Sequence, residues 1–276
     1  MKNIVIVGQN GNLAKALANQ FPNAIQVERE EYLLWLTNPT RLQDYFKNQN
    51  ISGSETIVFN CAGVINPNAA LNEINLLNFD LPVFLSEEST NLNFRLFTFG
   101  TVMEKLPKYA SSNSYLDSKL RFYNKFIGTE RWVKSNTHVQ MHTLYGGIKC
   151  HPHMFLGQMH QAISRREIFK MTGGEQIREY HHLDDDARAV KLISTINTSG
   201  VMDISHGKPE KLKDIANAIF SHFDLLQFLK LSENQTDVND NLGVIFKRSE
   251  VISSIAFRDP IDNIIKWLEE QKGDNE

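Results

Sequence analysis

Four branched aliphatic residues, Ile4-Val5-Ile6-Val7, run straight into Gly8-Gln9-Asn10-Gly11-Asn12-Leu13-Ala14, and this junction limits what the chain can become more than any other stretch. An unbroken apolar run of this kind suits a strand buried on both faces, as in a parallel sheet. Leu13 to Gln20 then reads as a helix. In such a strand–turn–helix unit Gly8 permits the tight turn, Gly11 lets backbone approach a pyrophosphate, and Ala14 lets the helix pack close to the sheet. The bend through Asn10, Asn12 and Leu13 would offer the helix's unpaired N–H groups and partial positive charge to phosphate. A glycine pair alone is a weak signal, since a plain structural turn explains it too. The context strengthens it. Glu28 ends the second strand about 20 residues on, where an acid accepts from the adenosine ribose hydroxyls. Arg29 would instead hold a 2′-phosphate, while Glu28-Arg29-Glu30-Glu31 also reads as a solvated charge run. The expected cofactor is NAD or NADP, with the balance toward NAD.

Further strands are expected at Ala24–Val27, Thr56–Phe59, Arg95–Phe99 and His138–Leu144. Between them lie helical stretches at roughly Thr40–Asn48, Leu71–Ser89 and Ser114–Phe126. Strands alternating with helices indicate parallel βαβ units, whose crossovers put helices on both faces of the sheet. The second half is broken by glycine pairs at 146–147 and 173–174 and by His151-Pro152-His153. Helices are expected there at about 185–197, 211–223 and 261–271, followed by a fraying tail. The fold class is therefore α/β: a Rossmann-type doubly wound parallel sheet with a smaller C-terminal lobe. The dinucleotide domain is placed at 1–143, with 184–205 returning to it, and the substrate lobe at 144–183 and 206–276.

A net charge of −3 and a pI of about 6.3 give no basic face for nucleic acid or an anionic membrane. No apolar run approaches the roughly 20 residues that span a bilayer. The N-terminal apolar run is cut short by Gly8, unlike a signal peptide. Cys61 and Cys150 are too few for a disulfide framework, so a reducing cytoplasm is expected.

Chemistry concentrates at the strand ends. Asn60-Cys61-Ala62-Gly63 closes the third strand with small residues against which a cofactor can lie; Cys61 reads as a small buried residue rather than a nucleophile. Tyr115 and Lys119 stand one turn apart on one helical face. A tyrosine titrates near about 10 unaided, and a neighbouring cation is expected to lower that value and fit the phenol for proton transfer. The spacing alone is weak, but it follows a hydroxyl-bearing strand end, Thr98-Phe99-Gly100-Thr101.

These pieces, in this order, resemble the extended short-chain dehydrogenase/reductase superfamily, the nucleotide-sugar epimerase, dehydratase and reductase group. The resemblance runs over nearly the whole chain: Gly8-x-x-Gly11-x-x-Ala14, Asn60-x-Ala62-Gly63, Asn78, Tyr115-x-x-x-Lys119 and Leu144-Tyr145-Gly146-Gly147. It continues through Arg178-Glu179-Tyr180-His181-His182-Leu183-Asp184-Asp185-x-Ala187-x-Ala189 and Ile204-Ser205-His206-Gly207-Lys208-Pro209. It implies that Tyr115 is the acid/base and that Lys119 tunes it and holds the nicotinamide ribose. The superfamily's third member is a Ser or Thr, but Phe99 stands at its place; Thr101, or failing that Thr98, must substitute. The Asp-Glu pair of the dehydratases would fall on Gly100-Thr101, so the resemblance argues against a dehydratase.

Arg178 corresponds to an arginine that grips the diphosphate of a nucleotide-sugar in that superfamily, and Tyr145 is expected as a further substrate contact. An ordinary ion pair of Arg178 with Glu179 is the plainer alternative. His182 and Asp184-Asp185 read as capping the helix that follows. His151, His153 and His160 lack an accompanying ligand set, so no metal is expected. The function so implied is an NAD(P)-dependent oxidoreductase acting on a nucleotide-activated sugar. The alternatives are an epimerase with tightly held NAD and a non-catalytic cofactor-binding regulator. Such relatives commonly form homodimers through the helix bearing the tyrosine; Leu120, Phe122 and Phe126 suit either that surface or the core.

Overall fold

A computed structural model describes residues 3–38, 40–148, 151–196, 198–232 and 240–273. Cys150 and the tail 274–276 lie outside the described residues. The chain divides into two compact units, Met1–Met141 with Ala187–Ile204, and His142–Asp186 with Ser205–Glu276.

The first unit is built on six strands: β1 (Asn3–Val7), β2 (Ile25–Val27), β3 (Thr56–Asn60), β4 (Arg95–Thr101), β5 (Thr137–Met141) and β6 (Gly200–Asp203). They lie in the order β6-β5-β4-β3-β1-β2 with every neighbouring pair parallel. The β1 aliphatics Val5, Ile6 and Val7 are fully buried, which is why the run carries no alternation. The order reverses between β1 and β3, where Val7 pairs with Asn60. In doubly wound sheets ligands bind beyond the carboxyl ends of the strands at such a switch point. Both the glycine bend and the Asn60–Gly63 segment leave the sheet there.

Residues 29–37 form a helix, not a solvated charge run. Tyr32 and Trp35 bury one of its faces, and Glu30 and Glu31 in its first turn suit the positive end of the helix dipole. The stretch from Leu71 to Asn91 is helical throughout but widens to a π-type turn over Leu76–Asp80. Pro82 has no N–H to donate to the carbonyl four residues back, that of Asn78, so the regular ladder fails at this point. The strand read as His138–Leu144 is two strands. β5 ends at Met141, and Thr143–Tyr145 pairs with Tyr180–His182 in the second unit.

Among the described residues, the second unit has three short two-stranded pairings around helices Phe155–Arg165, Leu212–His222 and Pro260–Gly273. The apolar faces of these helices converge through Met159, Ile163, Ile219, Phe220, Ile264 and Leu268. Met159 is core, whereas Met154 is exposed. Phe122 and Phe126 pack with Trp132 in the first unit's core. No helix among the described residues is long and apolar enough to cross a membrane.

Candidate active site

The glycine bend is tight. Gly8 has φ +88°, and a Cβ there would stand 2.7 Å from the Ala62 nitrogen. Gly11 N–H donates to the Gly8 carbonyl at 3.0 Å, and Gly11 itself precedes helix α1 (Asn12–Gln20) without any side-chain cap. The first turn of α1 holds no acid, so no carboxylate of that turn competes for its N–H groups. Gly11 has φ −70°, which any residue adopts, so its lack of a side chain matters only for what approaches from outside. Glu28, just past β2, accepts from Gln9 Nε2 at 2.9 Å. Arg29, expected from the sequence to be the alternative holder of a 2′-phosphate, is paired with Glu73 at 2.8 Å.

Beyond β3, Asn78 holds the loop. Its Oδ1 accepts from Val64 N–H, and its Nδ2 donates to the Val64 carbonyl and to Ser118 Oγ. Ser118 in turn donates to the Tyr115 carbonyl. The π-type turn therefore ties the β3 loop to the helix that carries Tyr115 and Lys119. Burial pushes the Cys61 thiol up, and the weaker opposing pull of Lys119 does not reverse this. The residue is an inert small side chain rather than a thiolate.

Helix α2 (Ser114–Ile127) begins at Asn113, whose side chain accepts from the N–H groups of Tyr115 and Leu116. Lys119 Nζ donates to the Phe99 carbonyl at 2.8 Å, and it lies 3.8 Å from where a Cβ on Gly63 would sit. Lys119 thus stands between the ends of β3 and β4. The electrostatics differ from the expectation drawn from spacing. Burial pushes the Tyr115 phenol up, and the Glu104 charge pushes it the same way. Burial draws Lys119 down while Glu104 and Cys61 oppose that. Desolvation, with Glu104 acting in the same sense, sets the direction for Tyr115.

The two candidate hydroxyls have different surroundings. Thr98 is buried, with its Oγ1 2.8 Å from His138 Nδ1. Thr101 is partly exposed, and its Oγ1 accepts from Met103 N–H at 3.3 Å. The Thr101 N–H donates to Glu104 Oε1, completing a reciprocal cap on the short turn Val102–Lys105. Glu104 was not singled out from the sequence. Its signal, Thr-x-x-Glu after a strand, reads as an ordinary capping box.

In the second unit, Tyr145 belongs to the apolar core and packs against His182 and Trp267. The substrate contact expected of it is not what its burial provides. Arg178 pairs not with its sequence neighbour Glu179 but with Asp240: Nη2 lies 2.5 and 2.6 Å from the two carboxylate oxygens. His182 Nδ1 accepts from the Asp184 N–H, while Asp185 accepts from the Arg258 N–H. Glu179 sits in a buried cluster. It accepts from Ser205 Oγ, His206 N–H and Gly207 N–H, and faces His181 Nε2 at 3.1 Å. His181 Nδ1 lies 2.8 Å from Asp186. His142, Glu179 and His181 bring ligand-type atoms within 4.8 Å of one another. The two imidazoles stack at 28°, however, and an ion bound to one ring lies in that ring's plane, away from the other. A protonated His181 pinned between two carboxylates accounts for the cluster better. Sequence reading looked for metal ligands at His151, His153 and His160, not here.

Solved structures with the same architecture cover essentially the whole chain. MoeE5 bound to UDP-glucose and NAD matches with a TM-score of 0.76 at 16% identity, over 99% of this chain and 100% of that one. UDP-glucose 4-epimerase of Thermotoga maritima with UDP-glucose gives 0.77 at 13%, over 99% and 100%. RMD from Pseudomonas aeruginosa complexed with NADPH gives 0.75 at 12%, over all of both chains. The chain shares the fold of these structures. No family model matches it, and no curated protein does. The likeness therefore lies in the path of the backbone, with the sequence largely rewritten on it.

Proposed function

We propose that this chain is an NAD(P)-dependent oxidoreductase acting on a nucleotide-activated sugar. One observation carries the reading: Lys119, one turn from Tyr115, bonds the end of β4 and lies against Gly63 at the end of β3, the strand beside the glycine bend. The bend fits a dinucleotide. Gly8 has no room for a side chain, and the uncapped start of α1 leaves N–H groups for a pyrophosphate. Gly8, Asn10, Gly11, Asn12 and Leu13 would hold the phosphates. Glu28 would accept from the adenosine ribose. Cys61, Ala62 and Gly63 would line the cofactor, with Asn78 fixing their loop. Glu28 at the end of β2, with Arg29 engaged by Glu73, favours NAD over NADP.

A nicotinamide seated there supplies or accepts a hydride. The chain's own part is the proton. Tyr115 gives it to, or takes it from, the reacting oxygen, Lys119 stabilises the charge that develops, and Thr101 is the hydroxyl available to orient that oxygen. Thr98 supports from behind through His138. Arg178 would take the diphosphate in exchange for Asp240. Thermal-shift screening with NAD(H), NADP(H) and nucleotide-sugars should raise the melting point, because each ligand binds only the folded form. Reduction of a keto-sugar nucleotide by added NADH, abolished in Tyr115→Phe, is the expected result. Unchanged turnover in that variant would exclude the acid/base role. Protein purified with nicotinamide already bound, inverting a sugar without net oxidation, would make it an epimerase.

A further inference from the structure

Behind the end of β4 lies a closed chain of polar side chains that the tyrosine–lysine pattern does not contain. Thr98 Oγ1 meets His138 Nδ1 at 2.8 Å, and His138 Nε2 meets Glu104 Oε2 at 2.9 Å. Gln140 Nε2 donates to the same oxygen at 3.0 Å, and Thr101 N–H donates to Oε1 at 3.1 Å. Glu104 is 3% exposed and His138 is fully buried. The group is seated by a gap in the strand, since a Cβ on Gly100 would overlap both the Glu104 carboxylate and the His138 ring. Two N–H donors, from Gln140 and Thr101, and the His138 ring nitrogen beside them are what a carboxylate needs to persist out of water. The turn carrying Glu104 packs directly on α2, and Lys119 bonds the carbonyl of Phe99, the residue next to Gly100. Anion and ammonium therefore flank consecutive residues of one strand end.

We propose, on the reading of Tyr115 as acid/base, that Glu104 is a positioning residue that keeps both Tyr115 and Lys119 protonated and so commits the site to delivering a proton to a carbonyl oxygen. A buried negative charge opposes formation of a phenolate and favours an ammonium. The resting site then holds the form that carbonyl reduction consumes. In that step the Tyr115 O–H bond breaks as the product O–H bond forms. The electron pair of the broken bond stays on the phenolate oxygen, and the carbonyl carbon is reduced by hydride from a reduced nicotinamide. Solvent later returns the proton to the phenolate. Alcohol oxidation must first ionise Tyr115 and works against Glu104.

Charged groups on the neighbouring elements are engaged elsewhere. On α2, Asp117 and Arg121 pair with each other; on the Glu104 turn, Lys105 pairs with Asp203. Lys108 lies over the Tyr109 ring, Cys61 stays a thiol, and His138 is engaged on both nitrogens.

The test needs no substrate. Tyrosinate absorbance is followed from neutral to strongly alkaline pH, with Tyr115→Phe subtracted to isolate the one phenol. Wild-type Tyr115 should ionise above the ordinary value of about 10, and Glu104→Gln should move that ionisation down by about one pH unit or more. Glu104→Asp should restore the wild-type curve, which a merely structural role would not predict. The rate of alcohol oxidation should rise with pH along the same curve in each variant. Wild-type Tyr115 ionising below its ordinary value overturns the proposal without any variant, as does an identical titration in a folded Glu104→Gln. Failure of the wider reading is separate: it is a Tyr115→Phe protein that still turns over keto-sugars.

Discussion

Arg178 and Asp240 form a close ion pair, with one guanidinium nitrogen 2.5 and 2.6 Å from the two carboxylate oxygens. Both side chains are largely withdrawn from solvent, at 23% and 17% exposure, so the pair is more than a surface contact. A phosphate seeking Arg178 has to replace a carboxylate already there. Asp240→Asn should therefore tighten binding of a nucleoside diphosphate by several-fold, read by calorimetric titration. An unchanged affinity in a variant of normal melting point would mean that Arg178 does not meet the diphosphate.

The two glycines of the bend separate a folding requirement from a binding one. Gly8→Ala puts a Cβ 2.7 Å from Ala62 backbone at φ +88°, and should cost about 1–3 kcal/mol of stability as well as dinucleotide affinity. Gly11→Ala meets only the Gly8 and Cys61 carbonyls, at 3.4 and 3.7 Å, and should fold normally. Its loss should appear in NAD(H) affinity alone. Gly11→Ala protein that binds the dinucleotide like wild type would move the pyrophosphate elsewhere.

Asn78→Ala removes the side-chain hydrogen bonds by which Asn78 fastens Val64 and Ser118 to the π-type turn. A buried amide lost in this way should lower stability by about 1–3 kcal/mol. The β3 loop carrying Cys61 to Gly63 should loosen with it, raising the dissociation constant for the cofactor more than that for a free sugar nucleotide.

The second unit carries a pH signature. Burial alone would lower His181, but Asp186 and Glu179 reverse this and raise it to about 9, from an ordinary 6.5. Its stabilisation is complete below about 6.5 and is lost as pH rises through 9. His206 is lowered to about 4, by burial and then by the His181 cation, so stability falls between 6.5 and 4 as the unfolded chain takes up that proton first. Burial would raise Glu179, yet its hydrogen bond from His181 and the neighbouring His142 charge, with Ser205 and His206, hold it near 2, so its share disappears between about 4.5 and 2. Melting temperature should therefore peak near pH 6.5. His181→Gln should destabilise by about 3–5 kcal/mol and flatten the alkaline limb. An alkaline limb that persists in that variant would place the titration on another group.

The parallel sheet, the glycine bend and the Tyr115–Lys119 face were legible because each is written in neighbouring residues: an apolar run, small residues at fixed offsets, and a spacing of one helical turn. The Arg29–Thr37 helix was not, because its acids look alike in a loop and in a first turn until Tyr32 and Trp35 are buried. The split after Met141 was not, because a strand-like sequence runs on through His142 while the strand's partner changes from β4 to Tyr180–His182.

Local sequence determined which elements form and which chemistry they carry, since periodicity, turn residues and i,i+4 spacing act over a few bonds. Only the tertiary structure decided the charges around that chemistry. Glu104 reaches Tyr115 and Lys119, Asp240 meets Arg178 from 62 residues away, and Asp186 and Glu179 enclose His181. Coulomb interactions and desolvation depend on distance through space and on the exclusion of water, and neither is set until the chain has packed.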